Sequence, residues 1–136
     1  LITLWDVIEH LPDPGKELDQ IYTILKPGGI LVVNYPDFAS LPAMLLGRKW
    51  PFLLSVHLTY YTPLTIRREM KKHGFKIVAV TRHWQTLELG YVLERASSYF
   101  KIFGVAQKII EAFGFSRIPI KYWVGQTKVV AKKYVK

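Results

Sequence analysis

Leu1-Ile2-Thr3-Leu4, followed by Trp5-Asp6-Val7-Ile8-Glu9-His10-Leu11-Pro12-Asp13-Pro14 and later by Leu25-Lys26-Pro27-Gly28-Gly29-Ile30-Leu31-Val32-Val33, are the stretches that decide the fold. Residues 1–4 read as the tail of a buried strand. Asp13-Pro14 reads as a helix start, with Asp as N-cap and Pro at the first helical position. Leu18, Ile21, Tyr22 and Leu25 then fall at i, i+3, i+4 and i+7, one face of a helix over 14–26. Pro27-Gly28-Gly29 stops it. The apolar run that follows at once predicts a central parallel strand, covered on both faces. Strand, helix and strand within about 35 residues make a right-handed βαβ unit. Ligands of open α/β sheets bind beyond the carboxyl ends of the strands, so residues 4–10 and the polar exit Asn34-Tyr35-Pro36-Asp37 are the expected mouth of a site.

Working outward, residues 38–61 are apolar and aromatic but irregular, with Pro42, Gly47 and Pro51. A short helix over 40–46 fits, and the stretch reads as an insertion over the site mouth. Thr62-Pro63 starts another helix that runs to about His73 and is capped by Gly74. Its Arg67, Arg68, Lys71 and Lys72 form a solvated face or, alternatively, a phosphate-binding patch. Residues 76–84 are strand-like and 87–115 mostly helical. From 99 to 113 Lys101, Gly104, Lys108 and Glu111 form a narrow polar stripe on a helix that is otherwise apolar over most of its circumference, so that helix should be buried in the core or docked on another chain or on lipid. Residues 118–124 are extended, and 127–134 form a last strand.

The 136 residues amount to about one domain, and 50% hydrophobic with 21% charged residues excludes a disordered or low-complexity chain. Zero cysteines exclude disulfides, thiolate zinc sites and cysteine nucleophiles. They fit a reducing compartment, and cytoplasmic localisation is the expectation. No apolar run reaches ~18 residues, so no transmembrane helix is expected. An opening without Met or a charged n-region suggests a fragment without signal peptide. The net charge of +9 is uneven: residues 1–47 carry six acids and two bases (−4), and residues 48–136 four acids and seventeen bases (+13). Such a half suits nucleic acid, anionic lipid or an acidic partner. The bases are spread along the chain rather than packed into a run, which favours a solvated basic surface over nucleic-acid binding.

The order of Glu9-His10-Leu11-Pro12-Asp13-Pro14, a helix, Leu25-Lys26-Pro27-Gly28-Gly29 and a strand resembles the second half of a class I S-adenosylmethionine-dependent methyltransferase. His57-Leu58-Thr59-Tyr60-Tyr61-Thr62-Pro63, and a helix ending His73-Gly74-Phe75, match the family's next segment. Residues 127–133 fit its last strand. The resemblance implies an α/β fold: the C-terminal half, from the fourth strand onward, of a Rossmann-like seven-stranded sheet with helical insertions at 38–61 and 85–117 that shape the substrate site. The last strand should be antiparallel, and residues 1–4 and 30–35 should be neighbours. The family's glycine-rich cofactor loop is absent; Gly28-Gly29 is a helix stop. The edge strand at 1–4 then invites pairing, so self-association through that edge or the 99–113 helix is expected.

The resemblance places Leu4 and Trp5 against the S-adenosylmethionine cofactor, although Trp5 could equally fill a gap between helix and sheet. Asp6, Glu9 and His10, at i, i+3 and i+4, would share one side of a helical turn and could bind a divalent cation. Ubiquinone-biosynthesis and small-RNA methyltransferases look similar here, with Mg²⁺ or Mn²⁺, and His57 matches the second histidine of the RNA enzymes. The plainer reading has Glu9 and His10 hydrogen-bonded within the loop. His10 and His57 are also candidate catalytic groups, as base or substrate contact. His73 and His83 read as structural. The implied function is methyl transfer to a small or lipid-like acceptor, with peripheral membrane contact open; the alternative is a truncated, inactive binding or scaffolding module.

Overall fold

The computed structural model describes residues 1–134. Two compact units emerge: Leu1–His83 with the stretch from Val124 onward, and Trp84–Trp123. The first holds β1 (Ile2–Trp5), α1 (Pro14–Ile24), β2 (Ile30–Pro36), α2 (Leu41–Leu46), α3 (Pro63–Lys72), β3 (Phe75–Arg82) and β6 (Gln126–Lys133). The second holds β4 (Gln85–Glu88), α4 (Leu89–Ser97), α5 (Lys101–Ala112) and β5 (Pro119–Tyr122).

The four strands of the first unit lie in the order β1-β2-β6-β3. β1 and β2 are parallel neighbours in the register Leu4↔Val33, as the βαβ reading required. β6 runs antiparallel between β2 and β3. A register shift between Ile77 and Ala79 leaves Val78 as a bulge that is exposed to solvent. Along β2, Leu31, Val33 and Tyr35 point into the core, where they meet Leu18 of α1 and Ile66 and Met70 of α3. Each such side chain contributes roughly 1.5–3 kcal/mol on burial. The opposite face is less covered: Thr3 and Trp5 are exposed and Val32 is half-buried. The expectation of cover on both faces therefore holds for one face only, because α1 and α3 pack on the same side.

The caps follow the sequence. The Asp13 carboxylate accepts from the Lys16 N–H at 3.0 Å. Thr62 and Thr65 exchange two hydrogen bonds as a capping box, Thr65 standing where Glu or Gln is usual. Gly74 at φ +86° ends α3, and a Cβ there would lie 2.8 Å from the Tyr22 ring. α1 stops at Ile24 rather than 26 because Leu25 turns extended to bury its side chain. The Lys133 ammonium donates to the Tyr22 and Leu25 carbonyls at 2.5 and 2.8 Å, where the helix dipole favours a cation.

In the second unit the stretch 87–115 is mostly helical, as expected, but the helix is divided in two and its first residues are extended. Residues 85–88 are a strand, paired antiparallel with β5, and Ser98–Phe100 separates α4 from α5. Gly90 lets α4 start against Ser116, whose Cβ would lie 2.9 Å from an added methyl. Core burial of the 99–113 helix is overturned: no residue of α5 is buried. A long amphipathic pattern fixes periodicity, not what covers the stripe. No helix among the described residues is long and apolar enough to cross a membrane.

Candidate functional site

β1 and β2 end side by side, and β6, being antiparallel, begins there. Asp6 follows β1 with φ +51°, a left-handed conformation that Asp tolerates better than most residues. This turn aims its Oδ1 across the sheet, where it accepts from Asn34 Nδ2 at 2.8 Å and Gln126 Nε2 at 2.7 Å. Burial pushes the Asp6 carboxyl above its usual range, and His83, His57, His10 and the Asn34 bond oppose that shift. Just past β2, buried Asp37 accepts from the Ala39 N–H at 2.9 Å and the Thr127 hydroxyl at 3.2 Å.

Asp6 therefore does not share a helical turn with Glu9 and His10. Only Ile8–His10 form a short 3-10 turn, and Asp6 faces the strands instead. Among the described residues, the group that could hold a metal ion is Glu9, His10 and His57, whose ligating atoms lie within 4.8 Å of one another. Asp6 is outside that group.

The 38–61 segment brings His57 to this turn. Leu58 and Thr59 N–H groups donate to the Glu9 carbonyl at 2.8 and 3.2 Å, and His10 Nδ1 meets the Val56 carbonyl at 3.0 Å. His57 Nδ1 meets the Phe52 carbonyl at 2.8 Å. Both rings thereby direct Nε2 away from those anchors, and their centroids are 4.7 Å apart, edge to face. A carbonyl partner at Nδ1 selects, in a neutral ring, the tautomer with the proton on Nδ1 and a lone pair on Nε2. Burial, helped by His10, lowers the His57 pKa, so its ring is neutral near pH 7.

Glu9 is the less ordinary member. It is 1% exposed, and neither carboxylate oxygen meets a donor from another residue. Burial and nearby Asp6 raise its pKa, against its own backbone N–H and His10. The plain reading has Glu9 and His10 hydrogen-bonded within their own loop; the Glu9 carbonyl and His10 Nδ1 are instead bonded to the 56–59 stretch. Those bonds leave the Glu9 carboxylate and the two Nε2 atoms unexplained.

Trp50 anchors the segment. It is 2% exposed, and its indole N–H donates to the Val124 carbonyl at 2.7 Å. Phe38, Phe52 and Tyr60 surround it. Gly125, at φ +104°, makes the passage possible, since an added Cβ would stand 2.3 Å from Ser40 Oγ. Sequence reading placed Asn34 at the expected mouth, but missed Trp50 and Gln126. The polar strand end that marked Asn34 was also the available signal for Gln126.

The other named residues fall out simply. Leu4 packs against the core. Trp5 is 47% exposed, with its ring 5.1 Å from His83. His73 is structural, joining Asp19 of α1 at 2.5 Å and Glu69 at 3.3 Å. Arg67, Arg68, Lys71 and Lys72 are all exposed on α3.

The parallel β1–β2 pair, the antiparallel last strand between β2 and β3, and a polar cluster at the strand ends define a class I methyltransferase-type α/β fold. A family model described as a methyltransferase domain matches residues 1–80, more than half the chain, and the chain belongs to that family. Solved structures agree on the fold. An S-adenosylmethionine-dependent methyltransferase from Thermotoga maritima is 18% identical with a TM-score of 0.57, over 96% of this chain and 54% of that one. One from Archaeoglobus fulgidus is 18% identical with a TM-score of 0.57, over 96% and 57%. The [4+2]-cyclase SpnF is 16% identical with a TM-score of 0.53, over 98% and 49%. The chain spans about half the length of these structures. No curated protein matches it.

Proposed function

We propose that this chain is the acceptor-side half of a methyltransferase that uses S-adenosylmethionine, within a larger Rossmann-like sheet of seven strands. The observation that carries the reading is the order β1-β2-β6-β3 with β6 antiparallel, joined to the family match over 1–80. β1 has one hydrogen-bonded neighbour among the described residues, and the sheet face bearing Thr3 and Trp5 is open. Both features suit further strands and helices, or a second chain, on that side.

The residues present fit one wall of a cofactor site. Trp5 offers an exposed indole at the carboxyl end of β1, whereas Leu4, turned to the core, offers only its backbone. S-adenosylmethionine would supply an electrophilic methyl group. The residues of this chain bind and orient the acceptor, and His57 Nε2 takes up the proton of an acceptor hydroxyl or amine. Positioning carries most of such an in-line transfer. Exposed Leu41, Met44 and Leu45 on α2, with Phe38, support a small apolar or lipid-like acceptor at the 38–61 segment. Isothermal titration of S-adenosylmethionine into the full-length natural protein is expected to show micromolar affinity, weakened about tenfold by Trp5→Ala. Unchanged affinity in that variant would remove Trp5 from the cofactor wall. Absence of binding would leave the scaffolding alternative.

A second reading is favoured by the Glu9 carboxylate: Glu9, His10 and His57 could hold a divalent metal. Two imidazoles and one carboxylate suit Mn²⁺, Fe²⁺ or Zn²⁺ better than Mg²⁺, which prefers oxygen ligands. A metal there would orient an acceptor hydroxyl and lower its pKa. The similarity to ubiquinone-biosynthesis O-methyltransferases at Glu9-His10 supports this reading.

Its test uses the pH linkage of Glu9. A carboxyl whose folded pKa is raised stabilises least when ionised, so the parent loses stability as pH rises from about its ordinary value of 4.5 through the folded value. With chelator at neutral pH, Glu9→Gln is expected to be about 1–2 kcal/mol more stable than the parent, and the gap should close in acid. Adding Mn²⁺ should raise the melting temperature of the parent and not of Glu9→Gln. Equal responses to Mn²⁺ would defeat the metal reading while leaving methyl transfer untouched.

A further inference from the structure

α5 presents an apolar row to solvent. Ile102, Val105, Ile109 and Phe113 recur at i, i+3, i+7 and i+11, and are 74%, 62%, 52% and 70% exposed. Phe113 stacks on Phe115 with centroids 6.4 Å apart, and Phe115 is also exposed. Lys101 and Lys108, one i,i+7 pair, run along one border of this row, both exposed. The acid of the helix, Glu111, lies behind the lysines and accepts from Gln107 at 2.8 Å. Across Trp84–Trp123 there are five bases and three acids.

From this arrangement we infer that α5 docks in the plane of an anionic lipid surface, with the Ile102–Phe113 row among the acyl chains and Lys101 and Lys108 at the phosphates. This inference does not depend on methyl transfer. An amphipathic helix of this kind binds by apolar burial together with attraction to anionic headgroups. Two observations disfavour a second copy as the occupant. The row offers roughly 500 Å², below the ~800 Å² per partner of a stable interface. A symmetric pairing of two rows also brings no acid to Lys101 or Lys108, whereas lipid phosphates neutralise both.

Sedimentation with vesicles tests this, using phosphatidylcholine alone and phosphatidylcholine mixed equally with phosphatidylglycerol. The full-length natural protein, taken as the parent, should partition preferentially to the mixed vesicles. Ile102→Ser with Ile109→Ser should weaken partition at least about tenfold. Lys101→Gln with Lys108→Gln should lower it about fivefold per lysine and abolish the preference for anionic lipid. These positions are exposed, and unchanged circular dichroism will show that the variants fold. Arg67→Gln with Lys71→Gln, on α3, is the control for bulk charge and should change little. Equal partition of parent and serine variant, an equal loss in the α3 control, or a parent dimer that the serines dissociate would each overturn the inference. The last result would assign the row to a second copy.

Discussion

Trp50→Ala should cost about 3–5 kcal/mol, the usual range for emptying a buried aromatic site. The side chain is 2% exposed and touches rings from three parts of the 38–61 segment. Its indole N–H is also the bond to Val124 at the entry to β6. Loss of the ring leaves a cavity, and loss of the N–H leaves the Val124 carbonyl short of a donor. Trp50→Phe keeps most of the ring and loses only the bond, so it should cost about 1–2 kcal/mol. Chemical denaturation measures both. The Ala variant should also loosen His57, because Tyr60 packs between Trp50 and His57. Histidine resonances of His10 and His57 that stay unshifted in Trp50→Ala would show that the histidine pair is held without Trp50.

Asp6→Ala should cost about 2–3 kcal/mol through a different route. The carboxylate is the acceptor for Asn34 Nδ2, and Asn34 is 1% exposed. Its removal strands a buried amide donor, the costly case for a hydrogen bond, and takes one bond from Gln126. Alanine also tolerates φ +51° less well than Asp. Asp6→Asn keeps a carbonyl acceptor and accepts the same backbone, so it should recover most of the loss. A melting temperature for Asp6→Ala within a degree or two of the parent's would mean that the Asp6 network does not join the ends of β1, β2 and β6. The comparison separates this structural role from metal binding, since Asp6 is not in the Glu9, His10 and His57 group.

The Asp6 result also marks where a spacing argument fails. Asp6, Glu9 and His10 share one side only if the backbone between them is helical, and one left-handed residue ends that periodicity. His57 was reached by resemblance rather than by spacing. It lies 47 positions after His10, and its approach depends on backbone bonds from Leu58 and Thr59 to Glu9 that no local pattern encodes.

What the sequence alone determined was local and punctuated by special residues. Asp13-Pro14, Thr62-Pro63, Gly74 and the Pro27-Gly28-Gly29 stop place helix ends because capping and φ preferences act within a turn. The run at 30–33 and its spacing from 1–4 place the parallel pair, because a crossover of that length has one ready hand. Only the tertiary structure decided which sheet face stays open, since both faces of β2 are apolar in sequence while α1 and α3 pack on the same side. It alone separated 84–123 as a unit and split the long helical pattern. The hairpin of β4 and β5 forms between segments about thirty residues apart, and pairing at that distance is chosen by packing rather than propensity. It also left the apolar row of α5 facing solvent, because helical period says which residues share a face and not what that face meets.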